Sequence, residues 1–471
     1  MVQGTSSWAG KSLITTALCR HLARRGVRVA PFKAQNMSNN ARVADGGEIG
    51  VAQYLQALAA RIEPEVRMNP ILVKPEGMTR SQVVVLGRPD HAISALPWRE
   101  RGPHLWPAVS EALHSLMGEY DVLVLEGAGS PAEINLLDFD LTNERSAREA
   151  DASVLLVADI DRGGAFAHLF GTWKLVREPA RQRIRGFILN KFRGDKSLLA
   201  PAPRLLTDIT GVPVVGVVPW FEHHLPDEDG AAPPGASTAG PIVAVVRYPF
   251  ASNLDEFKAL EQVALVRWAR RPADLDGAEL IVLPGSKQVA SDLQWLRSVH
   301  LDTAIVDGAR AGTRVLGICG GLQMLGQRLR DPAGVDGDGE GLDLLPLETT
   351  FEVEKQVRRA TVRFASTLDS SWKSLAGREV QGYEIRHGRT RATGPALAAI
   401  PDQMGWMRDS ALGVTVHGLL EDSEIVAAVV GRRLARSPDS VLDEVCDVVM
   451  ASLDVEWIDE LAGLGRGLEP A

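Results

Sequence analysis

A single cysteine set between glycines offers the sharpest chemistry in this chain. Gly317-Ile318-Cys319-Gly320-Gly321 follows the apolar run Arg314-Val315-Leu316 and leads into Leu322-Gln323-Met324-Leu325-Gly326, which reads as a helix. G-x-C-x-G between a strand and a helix is a nucleophile elbow, whose glycines allow the sharp turn that lifts the sulfur above a sheet. The helix N-terminus behind it favours thiolate. The plainer alternative is a small buried Cys in a βα turn. A thiol nucleophile needs a base and an oxyanion hole. His417, closing Val414-Thr415-Val416-His417-Gly418, is the candidate base. Pro284-Gly285-Ser286 ends the apolar run Leu280 to Leu283, so the amides of Gly285 and Gly320 are the candidate oxyanion donors.

A second constellation opens the chain. Gly4-Thr5-Ser6-Ser7-Trp8-Ala9-Gly10-Lys11-Ser12 has the character of a Walker A loop, with five residues between its glycines where the standard spacing has four. Backbone amides of such a loop form a nest for phosphate oxygens at a helix N-terminus. Gly4, Thr5 and Gly10 would shape it, Lys11 would reach the β/γ-phosphates, and Ser12 would place its hydroxyl on Mg²⁺. Glu126 follows the apolar run Val122 to Leu125, where α/β sheets place ligands, and suits Mg²⁺ directly or through water. Lys33 would stabilise charge on a transferring phosphoryl group. Asn190 follows Phe187-Ile188-Leu189 and would read the adenine edge. Asp45 and Glu48 are candidate second metal ligands or substrate contacts, with an acid-rich turn before a helix as the alternative. Together these imply ATP and Mg²⁺.

The elements that must position these groups alternate along the chain. Val27–Ala30, Val122–Leu125, Val154–Val157, Gly186–Leu189 and Val214–Val218 are short, nearly all-apolar runs, as in strands buried on both faces of a parallel sheet. Helical patterns such as Leu13 to Arg24 and Val51 to Ile62 lie between them. This is an α/β, doubly wound pattern. It breaks in a Gly/Pro/Ala-rich stretch and restarts at Ile242–Val246, with further runs at Leu280–Leu283 and Val315–Leu316. The expected division is a domain at 1–224, a linker at 225–241, a second α/β domain at 242–440, and a helical tail at 441–471 packed on the second domain. Only Met1-Val2-Gln3 precede Gly4, so the first strand is very short or the chain starts upstream.

Composition excludes several classes. Net charge −9 argues against non-specific nucleic-acid binding. No apolar run approaches the roughly 20 residues of a membrane span, and no signal peptide is visible. The three cysteines, Cys19, Cys319 and Cys446, are too far apart for a disulfide framework or a spaced metal site. This reads as a cytoplasmic protein acting on small molecules, without a nucleic-acid or membrane partner. A homo-oligomer is compatible with it.

The elbow GICGG, the upstream LPGSK and the downstream VHG resemble a class I glutamine amidotransferase domain, flavodoxin-like in fold. The resemblance implies glutamine hydrolysis through a Cys319 thioester with release of ammonia. Many such domains carry a Glu two residues after the His. Leu419 stands there in this chain, and Glu421 nearby has no assigned role, which suggests a Cys–His pair. The N-terminal half resembles dethiobiotin synthetase, which shares the longer GT-x₄-GK[ST] loop and implies an acyl phosphate made with ATP. The combination resembles the CobQ/CbiP family of cobalamin biosynthesis. The pieces that carry it are Phe32–Ser38, Met68–Pro75, Glu126–Asn135, Asp159–Gly164 and Gly382–Ile385. Arg386 departs from the His often found after that last motif, and His387 takes part of its role. The resemblance implies amidation of the b, d, e and g carboxylates of a corrinoid, adenosylcobyrinic acid a,c-diamide, with glutamine as ammonia donor. The alternatives are an a,c-diamide synthase, amidation of a cell-wall carboxylate, and a ParA-like nucleotide switch with an inactive glutaminase fold.

Overall fold

A computed structural model describes residues 1–77, 80–226, 240–368 and 370–464. Of the linker expected at 225–241, residues 227–239 lie outside the described residues, as do residues 465–471 of the expected tail.

The first half is built on parallel strands ordered Val2–Gly4, Val154–Asp159, Ile184–Phe192, Val214–Pro219. The parallel pair Val29–Phe32 and Val122–Leu125 continues this sheet through the bridge between Val2 and Glu126. Val2, Val157, Leu156, Ile188 and Val124 are buried, which is why these strands read as unbroken apolar runs. The helix Lys11–Arg24 follows the first strand directly through the Gly4–Gly10 loop. A second, mostly antiparallel sheet, Gln35–Met37, Ile71–Pro75, Ser81–Val85 and Arg88–Asp90, lies beside it.

The second half has seven strands, ordered Leu265–Ala269, Ile242–Val246, Leu280–Leu283, Arg314–Ile318, Ala411–Val414, Gly405–Arg408, Leu397–Ile400. The first five are parallel and the last two antiparallel. The strand Arg314–Ile318 is central and ends at Cys319. A long antiparallel hairpin, Leu347–Arg363 with Glu379–Ala392, stands outside the sheet. The alternation of buried and exposed residues along it is too irregular to announce a strand of that length.

The tail corrects one expectation. The helices Pro438–Met450 and Val455–Leu461 pack on the first domain, not the second. Val441, Leu442, Val445 and Val449, at helical spacing, share a core with Leu18, Cys19 and Leu22. Asp439, Asp443 and Asp447, four apart on the adjoining face, meet Arg20 and Arg24 at 2.5–2.7 Å. An apolar stripe flanked by an acidic one fits a basic helix face, and the helix Lys11–Arg24 supplies it.

The two halves are closed on each other by buried charge. Arg42, on the hairpin Ala41–Ala44/Gly47–Gly50 of the first half, pairs with Asp255 and Glu421 of the second and donates to the Tyr383 hydroxyl at 2.8 Å. Asn253 Nδ2 donates to the Ala41 carbonyl at 3.0 Å, and the Leu254 amide donates to Asn40 Oδ1 at 3.1 Å. Glu48 takes Lys74 of its own half and Lys355 of the other, one on each oxygen. Among the described residues, no helix is long and apolar enough to cross a membrane.

Removing one member of a buried ion cluster leaves the others uncompensated. Arg42→Met should therefore lower stability by roughly 3–5 kcal/mol in urea denaturation. A loss below about 1 kcal/mol, the scale of an exposed pair, would show that the cluster does not hold the two halves together.

Candidate active sites

At the loop, Gly10 has φ 102°, and a Cβ there would lie 1.9 Å from Asn190 Nδ2. Only glycine fits, and Asn190 closes the loop by donating from Nδ2 to the Ala9 carbonyl at 2.9 Å. Its Oδ1 is buried and takes no partner. Gly4 ends the strand, and the Thr5 amide donates to the Val157 carbonyl at 2.9 Å, so both support the loop from behind. Lys11 Nζ donates to the carbonyls of Ser6 at 3.0 Å and Gly129 at 3.2 Å. Glu126, fully buried, accepts from Ser12 Oγ at 2.9 Å and Lys33 Nζ at 2.8 Å on one oxygen and from Gln56 at 2.5 Å on the other. Lys11, Ser12, Lys33 and Asn190 line one cavity of about 600 Å³, with Trp8, Trp220 and Met37 also on its wall.

Two expected ligands are not brought to this cavity. Asp45 is exposed, with φ 48° before Gly46 at φ 68°, the two-residue turn of a hairpin. Glu48 faces two lysines instead. Burial pushes its carboxyl up, but Lys355, Lys74 and Lys287 outweigh that and hold it below the usual carboxylate range. It is an ion bridge between the two halves.

At the elbow, Cys319 has φ 53° and ψ −106°, a strained conformation of a kind that costs on the order of 1–3 kcal/mol. Its amide donates to Val414 at 2.8 Å and its carbonyl accepts from Gln323 at 3.2 Å, which fixes the turn from both sides. A Cβ on Gly321 would lie 1.9 Å from the Leu283 carbonyl oxygen, so the helix start presses on the neighbouring strand. The thiol donates to the Ile385 carbonyl at 3.6 Å and lies close enough to His417 to raise the affinity of its ring for a proton. His417 stacks on Tyr383 with ring centres 5.3 Å apart, and its Nδ1 lies 3.0 Å from Glu256 Oε1. The other oxygen of Glu256 accepts from the Gly418 amide at 2.8 Å.

Glu256 is therefore a third member of the constellation, missed in the sequence. It lies 161 residues before His417, on the short helical segment Leu254–Gln262. Its only signal was the pair Asp255-Glu256 opening that segment soon after the second domain's first strand. Glu421 pairs with Arg42 instead. Burial pushes the His417 imidazole down, but Glu256 and Cys319 overcome it and bring it up to about 10. His417 thus holds a proton at neutral pH, as a group that must protonate a leaving nitrogen should.

The oxyanion donors need one correction. Ser252 stands opposite Gly285 and Ala251 opposite Ser286 in a short antiparallel pair, and the Lys287 amide donates to the Phe250 carbonyl at 2.9 Å. Hydrogen bonding alternates along such a ladder. Gly285 then spends its amide inside the pair, while that of Ser286 points out. A Cβ on Gly320 would lie 2.6 Å from the Ser286 nitrogen, so the amides of Ser286 and Gly320 are neighbours.

Cys319 opens on a second cavity of about 780 Å³, lined from both halves by Lys74, Gln82, Arg101, Lys287, Lys355 and His387 among others. Burial lowers Lys74 to about 8 against the pull of Glu48, and lowers Lys287 well below the usual range, helped by Lys355 and Lys74. Burial also lowers His387 to about 4, so it is neutral. Lys74 and Lys355 meet on Glu48 at one wall of this pocket.

Comparison with known proteins agrees with this division of labour. Residues 1–228 match the CobQ/CobB/MinD/ParA nucleotide binding domain, and residues 242–425 match the CobB/CobQ-like glutamine amidotransferase domain. A cobyric acid synthase of Variovorax paradoxus is 54% identical over 95% of this chain and 96% of its own. One from Paracidovorax citrulli is 55% identical over 98% of this chain and 96% of its own. The chain belongs to the cobyric acid synthase family. In this family member the amidotransferase domain carries Cys319, His417 and Glu256, and the nucleotide-binding domain carries the Gly4–Ser12 loop.

Glu256→Gln removes the charge that keeps His417 protonated. General acid–base catalysis is worth about 10²–10⁴-fold, so glutamine turnover should fall by at least about 10²-fold with little change in KM. Because folding raises the His417 pKa, the stabilisation it supplies is complete below about pH 6.5, the ordinary histidine value. It is lost as pH rises toward about 10. Wild type should lose stability across that window and Glu256→Gln should lose much less. An unchanged kcat with an unchanged pH–stability curve would remove Glu256 from this role.

Proposed function

We propose that this enzyme uses ATP and glutamine to amidate corrin side-chain carboxylates, converting adenosylcobyrinic acid a,c-diamide at positions b, d, e and g to adenosylcobyric acid. The observation that carries the reading is that the thiol cavity and the phosphate-loop cavity adjoin, which suits an ammonia source beside a phosphorylated carboxylate. The names of the full-length relatives support the substrate class.

In this reading Cys319 Sγ attacks the glutamine amide carbon, and the amides of Ser286 and Gly320 receive the oxyanion. The C–N bond breaks as His417 gives its proton to the departing nitrogen, leaving a thioester and ammonia. Glu256 orients the imidazole and stabilises its charge, as the acid of a catalytic triad does. Water hydrolyses the thioester, glutamate leaves and the thiol is restored.

In the first domain, a corrin carboxylate oxygen attacks the γ-phosphorus of ATP and ADP departs. Lys11 and Lys33 bear on the phosphoryl oxygens, and the loop amides cradle the rest. Asn190 Oδ1, buried and without a partner, suits the exocyclic amine of adenine. Ser12 Oγ and a Glu126 oxygen, 2.9 Å apart, are hard donors. Mg²⁺ binds through one or two protein oxygens plus substrate phosphates, so they fit that ion without a dedicated cage. When bound it would neutralise phosphate charge. Ammonia then attacks the acyl phosphate carbon, the C–O bond breaks, phosphate leaves, and the nitrogen sheds a proton to give the amide.

Cys319→Ala should abolish glutamine-dependent amidation and keep ATP-dependent amidation from added ammonia, read by mass spectrometry of the corrinoid. Four successive gains of one amide on the a,c-diamide are expected. Amidation of cobyrinic acid itself at a and c, or glutamine-dependent product from the Cys319→Ala enzyme, would overturn the assignment.

A further inference from the structure

The two cavities share one residue. Asn39 lines the phosphate-loop cavity and also the thiol cavity. Two further stretches face both ways: in the turn Ala251–Leu254, Ala251 and Leu254 line the first cavity and Ser252 and Asn253 the second, and at the strand end Pro75 lines the first while Lys74 and Glu76 line the second. The turn is held against the Asn36–Ala41 segment by the bonds from Asn253 Nδ2 to the Ala41 carbonyl and from the Leu254 amide to Asn40 Oδ1, so Asn39 is fixed in place at the divide. Its neighbours in the chain have partners, but Asn39 Oδ1 is buried with no hydrogen-bond partner. An unpaired buried carbonyl oxygen is costly unless something visits it.

We propose that Asn39 is the gate through which ammonia passes from Cys319 to the phosphorylated carboxylate, its Oδ1 accepting a hydrogen bond from the molecule in transit. The inference rests on the glutamine-to-amide reading above. A divide buried between the two cavities disfavours a charged guest, so the species that crosses is neutral NH₃, whose N–H groups an acceptor there would steady. No bond is made or broken at the gate. A side chain that fills the same space without an acceptor closes it to a polar guest, and Leu is close to Asn in size.

The test is the ratio of amide formed to glutamine hydrolysed, measured with ATP and the a,c-diamide present. Asn39→Leu should keep glutamine hydrolysis and ammonia-dependent amidation within about twofold of wild type. It should lower the amide-to-glutamate ratio about tenfold or more, the effect of losing one hydrogen bond of roughly 1.4 kcal/mol in the transit step. Asn39→Ser, which keeps an oxygen acceptor, should couple several-fold better than Asn39→Ala. That comparison stands even if the Leu variant fails to fold. Unchanged coupling in Asn39→Leu, equal coupling in Ser and Ala, or a parallel fall in ammonia-dependent amidation would each overturn the gate. A wild-type enzyme that amidates with neither nitrogen source would instead overturn the underlying reaction.

Discussion

The Arg42 guanidinium constrains more of this molecule than any other group. It belongs to the first half, is buried, and finds all its named partners in the second: Asp255, Glu421 and the Tyr383 hydroxyl. A buried cation tolerates little displacement, because Asp255, fully buried, would be left in a medium that cannot solvate it. Burial pushes both Asp255 and Glu421 up, with Arg42 pulling the other way, and Glu421 comes to about 7. Arg42 thus offsets part of what burial costs these two carboxylates. The residue after Asp255 is Glu256, which orients His417, and Tyr383 is the ring on which His417 stacks. The geometry of the thiol site is therefore set partly by how the two halves meet.

The phosphate-loop side shows the same economy. Glu126 collects Ser12, Lys33 and Gln56, residues from three different elements, at one strand end. Each would carry its own desolvation cost alone, and together they satisfy one another. A ligand entering there exchanges these contacts for its own, which lets a saturated site still bind phosphate.

Local chemistry was readable in the sequence; chemistry assembled across the fold was not. The strand–loop–helix around Lys11, the elbow at Cys319 and the βαβ alternation announce themselves, because glycine placement and apolar runs are local signals. Glu256 was hidden because its partner is reached only when two distant loops meet above the sheet. Leu419 truthfully reported that the usual place is empty, but it could not say where the carboxylate had moved. Asp45 and Glu48 show the opposite error. Acids near a glycine pair suggested a metal, whereas the turn needs Asp45 for its positive φ and Glu48 faces lysines from strands far away in the chain. The tail was misplaced for a related reason: its amphipathic stripe was plain, but nothing local names the surface an apolar stripe will cover.

That tail bears on how the two sites can communicate. After building the second domain, the chain returns to pack Leu442, Val445 and Val449 on the helix that follows the phosphate loop. The halves are thus joined at the Arg42 cluster, at the Glu48 bridge and through this returning helix. Wide hinge opening would break two buried ion clusters and peel away an apolar face at once, a cost no single ligand contact offsets. Smaller motions remain available. The Asn36–Asn40 segment lines the phosphate-loop cavity and bonds directly to the turn that carries Asp255 and Glu256. A shift of that segment on substrate binding would be felt at His417 through two or three residues, without the domains parting.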